Sequence, residues 1–362
     1  MTVLPVTGES ASLPPTVGPS NAASVSAAEP GIGSKKSYLM GLDALRAVAA
    51  ISVCLFHFTG GMMPKLIVPA VQSVFSSGYL GVDIFFVISG FIIPYSLVGK
   101  NHQIAGIFAY LKKRILRINP PAYVSIVLVL GQWFLIDKII QHNNHYTGNL
   151  SWGQLINNLL FTIPFTDYKW ISGIFWTLAI EFQFYLFVGI LFSLLFERSV
   201  AWFVGLYVLV AAVSFLPHTA AVGFLHYSSL FALGGIALLW QQQRITLWAY
   251  MAGLLVFGGL ILWQLEPTAA LVGIGTAAAI NAIKVRIPGL SFLGKISYSL
   301  YLVHGLIGTT AEFVLIKLLP PTTDGRKMLL TGVCFGLAIA GSYIFYRIIE
   351  QPFMRMAMQN RR

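Results

Sequence analysis

Long apolar runs, separated by short polar or basic connections, repeat along this chain from about residue 40 to about residue 350. Runs of about 17–25 apolar residues are long enough to cross the hydrocarbon core of a bilayer as helices. The pattern therefore predicts an all-α polytopic membrane helix bundle with about ten transmembrane helices. We place these predicted spans at 41–59, 78–98, 121–139, 174–196, 200–216, 223–240, 247–264, 267–284, 293–319 and 327–350.

The chain divides into three predicted regions. Residues 1–37 are rich in Ser, Pro, Ala, Val and Gly and have no long apolar core, which predicts a disordered tail. Residues 38–355 form the predicted transmembrane domain, and residues 356–362 a short cytoplasmic tail. The stretch 152–165, inside the longest connection, is too short to cross, so we expect it to be interfacial or re-entrant.

Composition and charge support a membrane protein and set its expected orientation. Hydrophobic residues make up 57% of the chain and charged residues 10%, which excludes an ordinary soluble domain. The net charge of +11 does not predict a nucleic-acid partner, because the basic residues punctuate apolar runs instead of forming a water-exposed patch. Lysines and arginines concentrate in alternate connections, and the positive-inside rule then places both termini in the cytoplasm.

Two ionisable residues, Arg46 and His57, interrupt the first apolar run. A separation of eleven residues puts both on one helix face, about 16 Å apart along the axis. Ionisable groups inside a membrane are costly and usually mark a pathway or a reaction centre. The alternative is structural: Arg46 pairs with Asp43 one turn earlier, and His57 is a hydrogen-bonded packing residue.

Three further titratable groups lie in other predicted spans. Asp83 is near the start of the second span, Glu181 lies within the fourth, and His304 is near the middle of the ninth. With the predicted orientation, these groups and His57 converge on the outer half of the bundle. Asp83 is read either as an interfacial cap or as a buried site residue. Glu181 lies among aromatic residues, including Trp176, where a carboxylate needs a partner.

The connection after the second span contains the basic sequence 112–117, followed by Pro120 and Pro121. Topology alone accounts for a basic cytoplasmic loop. Arg114 and Arg117, however, are spaced to share a helix face, and two guanidinium groups on one face suit a phosphate. We therefore keep both interpretations of this segment: a topological signal and a site for an anionic donor.

Six motifs in order resemble the acyltransferase-3 family of integral membrane O-acyltransferases, over most of the chain from Leu42 to Phe353. The sequence departs from many relatives at Ala122, which separates the proline pair from Tyr123. The matching elements are Leu42–Arg46 followed by His57, Gly81–Phe91, Arg114–Arg117 with Pro120 and Pro121, Phe175–Leu178 leading to Glu181 and Tyr185, Ile296–His304, and Tyr346–Pro352.

The resemblance implies transfer of an acyl group, commonly acetyl, from cytoplasmic acyl-CoA to a hydroxyl on a glycan such as exopolysaccharide or lipopolysaccharide. It also implies an integral protein of the bacterial inner membrane, with acyl-CoA as co-substrate, no tightly bound cofactor and no metal. As a hypothesis of mechanism, Glu181 orients the imidazole of His57, as a carboxylate does in a triad, and His57 acts as a general base or carries the acyl group. The implied roles are catalytic for His57, Arg46 and Glu181, donor-binding for Arg114 and Arg117, and supporting for Asp43, Asp83, Trp176, Ser297, Tyr298 and His304.

Two other functions compete with this one. A proton-coupled transporter or flippase for a glycan or a lipid-linked saccharide also explains intramembrane histidines and acids. It gives no reason for two arginines spaced three apart beside a proline pair. A structural scaffold for an export complex explains neither feature.

Overall fold

The computed structural model describes residues 32–61, 64–100, 102–140, 142, 144–217, 219, 222–284 and 287–359, and these residues form helices and connections without a strand. The predicted all-α class is confirmed. Three π-helical turns, at His57–Gly61, Leu135–Ile140 and Tyr346–Glu350, extend longer helices. The α-helices are α1 (Ile32–Phe56), α2 (Pro69–Phe75), α3 (Gly81–Tyr95), α4 (Ile107–Phe134), α5 (Trp152–Leu159), α6 (Phe175–Phe196), α7 (Val200–Val213), α8 (Gly223–Gln241), α9 (Leu247–Gln264), α10 (Pro267–Ala282), α11 (Pro288–Leu318), α12 (Asp324–Phe345) and α13 (Gln351–Gln359).

The ends of the helical part differ from the predicted tails. Most of the predicted N-terminal tail, residues 1–31, lies outside the described residues, and α1 begins at Ile32. At the other end, α13 continues to Gln359, so most of the predicted C-terminal tail is helical.

Among the described residues, eight helical stretches are long and apolar enough to cross a membrane. Two shorter apolar helices, α7 and α10, correspond to the fifth and eighth predicted spans. Their 14 and 16 residues are about 21 and 24 Å long at 1.5 Å per residue, less than a typical hydrocarbon core. The count of ten therefore stays a prediction, and it depends on these two helices.

The basic segment before the third predicted span is not a loop. Helix α4 runs without interruption from Ile107 to Phe134 and includes both Pro120 and Pro121. Neither proline has an N–H to donate to the carbonyl four residues earlier. Membrane helices tolerate this loss where neighbouring side chains satisfy the freed backbone. The helix therefore begins before the predicted start of the third span at residue 121, and the two arginines lie on the same helix as that span.

Glycines bring the central helices into backbone contact. A Cβ atom on Gly90 of α3 would lie 2.1 Å from the carbonyl oxygen of Phe231 on α8. A Cβ atom on Gly234 of α8 would lie 2.0 Å from the carbonyl oxygen of Val87 on α3. Because small residues allow this close approach, the backbones of α3 and α8 pack directly against each other, and α3 also packs against α1.

Helix α5 has one exposed apolar face and one polar face. Trp152 is 80% exposed and Ile156, one turn later, is 51% exposed. On the opposite face the Asn158 side chain donates to the carbonyl of Lys169 and accepts from the backbone N–H of Ile171, which ties α5 to the following segment. An amphipathic helix too short to span is typical of a membrane interface.

Candidate active site

Helix α11 organises the polar centre of the bundle, packed between α1 and α12. Five of its polar side chains, spaced over two turns, each contact a different part of the protein. Polar groups in a membrane helix need partners, so these contacts fix the rotation of α11. The five residues are Ser297, Tyr298, Ser299, Tyr301 and His304.

The first contact holds Arg46. Its Nε donates a hydrogen bond to Ser297 Oγ at 3.2 Å. Its guanidinium also lies within electrostatic range of the carboxylates of Asp43, Glu181 and Glu350. The predicted partner Asp43 is thus one of several acids around this arginine, and Ser297 fixes its position.

The next two contacts join α11 to α4 and to the end of α12. Tyr298 donates from its hydroxyl to the carbonyl oxygen of Ile118 at 2.7 Å, beside the proline pair of α4. Ser299 donates from both its backbone N–H, at 3.1 Å, and its hydroxyl, at 2.5 Å, to Glu350 Oε2. Glu350 is buried and lies in the π-helical turn that follows α12. It therefore anchors the C-terminal helices to the motif on α11.

The last contact joins the two histidines. His57 Nδ1 lies 2.9 Å from His304 Nε2, and the rings stack with their centroids 5.0 Å apart. His57 is the first residue of a π-helical turn after α1, a backbone feature common at functional sites. His304 is fully buried, whereas His57 is partly exposed.

The hydrogen bonds of His304 assign the protons of both neutral rings. His304 Nδ1 faces two backbone carbonyl oxygens, Leu300 at 3.1 Å and Tyr301 at 2.8 Å, so this nitrogen carries the proton. His304 Nε2 is then an acceptor, and His57 Nδ1 must be its donor. The remaining nitrogen of His57, Nε2, keeps a free lone pair. This is the nitrogen that a general base or a nucleophile requires.

His57 lines a cavity of about 670 Å³. Aromatic rings form much of its wall, and Trp176 and Tyr227 lie 5.7 Å apart between ring centroids. Carboxylates of Asp83 and Glu266 face the same space. We call this space the histidine cavity. Its volume is large enough for a sugar-sized ligand.

A second space, the arginine cavity, lies next to it. It is lined by the three arginines predicted from the sequence, Arg46, Arg114 and Arg117. Arg114 lies over the rings of Tyr110 and Tyr185, at 5.5 and 5.7 Å from their centroids. These contacts hold the guanidinium in place by cation–π attraction.

The two cavities share Val82 and Tyr301 as lining residues. Tyr301 is fixed by a 2.7 Å hydrogen bond between its hydroxyl and Thr177 Oγ1. Val82 is apolar and lies one residue before Asp83. An extended ligand held by the arginines therefore has to pass only this boundary to reach His57.

The structure places Glu181 differently from the sequence-based expectation. Glu181 Oε1 accepts a hydrogen bond from Ser89 Oγ at 2.9 Å and lines the arginine cavity. The group that contacts His57 is His304. Glu181 is on α6, one turn beyond Thr177, and this register turns it toward the arginines instead of the imidazole.

Comparisons with known proteins identify the family of this chain. A profile of the acyltransferase domain, acyltransferase-3, matches residues 40–347 of the 362-residue chain. The chain belongs to the acyltransferase-3 family. The family expected from the motifs is thereby confirmed. No solved structure matches the acyltransferase-3 chain significantly.

Individual relatives of this acyltransferase-3 chain match it over less than half its length. O-acetyltransferase OatA of Staphylococcus aureus strain NCTC 8325 is 30% identical over 170 residues, 44% of this chain and 26% of OatA. OatA of strain COL gives the same values. SACOL0978 of strain COL, named as a candidate O-acetyltransferase, is 29% identical over 169 residues, 43% of this chain and 25% of that protein. The match thus spans about a quarter of these relatives.

Several residues of the acyltransferase-3 site were not singled out from the sequence. Thr177 and Tyr301 stand within quoted motifs, yet their mutual hydrogen bond joins α6 to α11 across 124 residues of sequence. Glu266 and His226 lie in the histidine cavity but belong to no motif. Only the position of Glu266 between two apolar runs, directly before a proline, indicated a connection facing the membrane boundary.

Proposed function

We propose that this protein is a membrane O-acyltransferase that moves an acetyl group from cytoplasmic acyl-CoA to a hydroxyl group of a glycan, such as exopolysaccharide or lipopolysaccharide. The observation that carries the proposal is the pairing of His57 and His304 next to a cavity lined by three arginines. The family membership and the O-acetyltransferase names of the relatives support the same chemistry.

The arginine cavity is the proposed site for the donor. CoA carries phosphate groups, and guanidinium groups bind phosphate oxygens through paired, charge-assisted hydrogen bonds. Arg114 and Arg117 lie one turn apart on α4, while Arg46 reaches the same cavity from α1. The phosphates bind the arginines, and the pantetheine arm extends past Val82 and Tyr301 toward the histidine cavity.

His57 acts on the acceptor as a general base in this proposal. As the acceptor oxygen attacks the thioester carbonyl, its proton passes to His57 Nε2, the C–S bond breaks and CoA thiolate leaves. The imidazolium that forms keeps its Nδ1–H bond to His304 Nε2. A neutral histidine acceptor at this position stabilises the charged ring, as a triad carboxylate does, without adding a second charge to the membrane.

The proposed topology has ten spans with both termini in the cytoplasm of the bacterial inner membrane. The eight long helices and the two shorter apolar helices, α7 and α10, supply this number. Shorter spans are accommodated by local thinning of the bilayer and by snorkelling of flanking residues. With this orientation the basic half of α4 faces the cytoplasm, where acyl-CoA is available.

Proteoliposomes that contain the purified protein test the proposal. Acetyl-CoA labelled in the acetyl group is added outside, and a bacterial polysaccharide preparation is enclosed or added on either side. Label on a glycan hydroxyl is the expected result, and label retained on His57 would identify an acyl-histidine intermediate. Movement of the glycan across the bilayer without label would contradict the proposal and favour a transporter.

A further inference from the structure

The histidine cavity and the arginine cavity have opposite charge. The titratable acids of the histidine cavity are Asp83 and Glu266, and no lysine or arginine among the described residues lines it. The adjacent space is lined by Arg46, Arg114 and Arg117. Neighbouring sites of opposite sign attract and exclude different ligands, because low-dielectric walls strengthen the local field.

Asp83 has no bound partner in this arrangement. The residue is buried, with a relative exposure of 7%, and it lines the histidine cavity. No hydrogen bond among the described residues reaches Asp83, and the other titratable acid that lines the cavity is Glu266. The Asp83 carboxylate lines the cavity and accepts no hydrogen bond from the described residues, so it is available to a hydroxyl donor that enters the cavity.

Glu266 closes the other side of the same cavity. It lies in the two-residue connection between α9 and α10 and accepts a hydrogen bond from the hydroxyl of Tyr79. Gln264 lies two residues before Glu266, at the end of α9. Its Oε1 accepts a hydrogen bond from Ser229 Oγ at 2.5 Å, and its Nε2 donates to the carbonyl oxygen of Leu225 at 2.9 Å. The connection is therefore held in place, and its acid is a fixed part of the cavity wall.

We propose that the histidine cavity selects acceptors without negative charge: an uncharged saccharide donates a hydroxyl hydrogen bond to Asp83, and acidic sugars are excluded by Asp83 and Glu266. Rings of Trp176 and Tyr227 supply the apolar surface on which a sugar ring packs. The inference rests on the proposed transferase function and deepens it. A carboxylate or phosphate on the acceptor meets like charge, which is a means of rejecting wrong partners.

Matched acceptors test this selectivity. Methyl glucuronoside and its methyl ester differ in the negative charge and in one methyl group, and each is incubated with labelled acetyl-CoA and the protein in nanodiscs. We expect the ester to be acetylated at least about tenfold faster, measured as kcat/KM. The variants Asp83→Asn and Glu266→Gln should each reduce that ratio to about threefold or less.

The control variant is Glu312→Gln, which removes a buried carboxylate of α11 that lines neither cavity. It should leave the ratio unchanged. Equal use of acid and ester by the unmodified protein, or an unchanged ratio in both cavity variants, would overturn the inference. If neither acceptor nor any other hydroxyl compound is labelled, the transferase function on which the inference rests would instead be overturned. The ratio compares two acceptors with one donor, so the two failures are distinguishable.

Discussion

Replacement of His304 by leucine tests the proton assignment of the histidine pair. The substitution removes the acceptor that lies 2.9 Å from His57 Nδ1. It fills the fully buried position with an apolar side chain. During transfer His57 becomes positively charged, and a hydrogen bond to a charged group contributes about 1.5–3 kcal/mol. At about 1.4 kcal/mol per factor of ten, kcat should fall about 10- to 100-fold.

The assay is transfer of labelled acetyl from acetyl-CoA to an acceptor by equal amounts of folded protein in nanodiscs. The KM for acetyl-CoA should be unchanged, because the arginine cavity is untouched. His304→Gln is the matched control: its Oε1 accepts from His57 Nδ1, so this variant should lose less than about tenfold. A leucine variant with unaltered kcat would refute the proton assignment, and so would a glutamine variant as slow as the leucine variant.

Three further predictions concern the donor, the passage and the longest connection. Arg114→Ala combined with Arg117→Ala should weaken acetyl-CoA binding by about tenfold or more, measured by calorimetry. Lys113→Ala on the same helix should leave this affinity unchanged. A double variant that binds acetyl-CoA as tightly as the unmodified protein would contradict the donor site. Val82→Trp should block the boundary between the cavities, so that acetyl-CoA still binds while acetyl transfer is lost. Val82→Ala should retain both acetyl-CoA binding and acetyl transfer. Normal transfer by the tryptophan variant would exclude this passage. Asp137→Ala removes the acceptor of three hydrogen bonds from Tyr146 and Thr147 and should speed proteolysis of the following connection. Unchanged cleavage would show that the connection is held by other contacts.

The sequence predicted the helices of this fold well and singled out residues that the structure places around its two cavities, because both depend on local pattern. Apolar runs of membrane-spanning length mark helices whatever their neighbours are. Arg46, His57, Arg114 and Arg117 stood out because charge is costly in such runs. The structure places all three arginines around one cavity and His57 beside it.

The errors concern features that depend on tertiary packing. The basic segment 112–117 was expected in a connection before a span starting at 121, yet α4 includes it and continues through both prolines, because neighbouring side chains in a membrane bundle can satisfy the freed backbone groups. Glu181 was expected beside His57, whereas the contact is made by His304, which is 247 residues away in the sequence. Which helix faces meet across such distances cannot be read from one sequence.

The central claim is that His57 performs the transfer, and one substitution tests it most directly. His57→Ala is compared with His226→Ala, which removes a second histidine from the same cavity. Both variants are reconstituted at equal abundance and supplied with labelled acetyl-CoA and acceptor. The account predicts that label on the acceptor disappears in the first variant, with donor binding intact, and persists in the second. Acetyl transfer at a near-normal rate without the imidazole of residue 57 would contradict it.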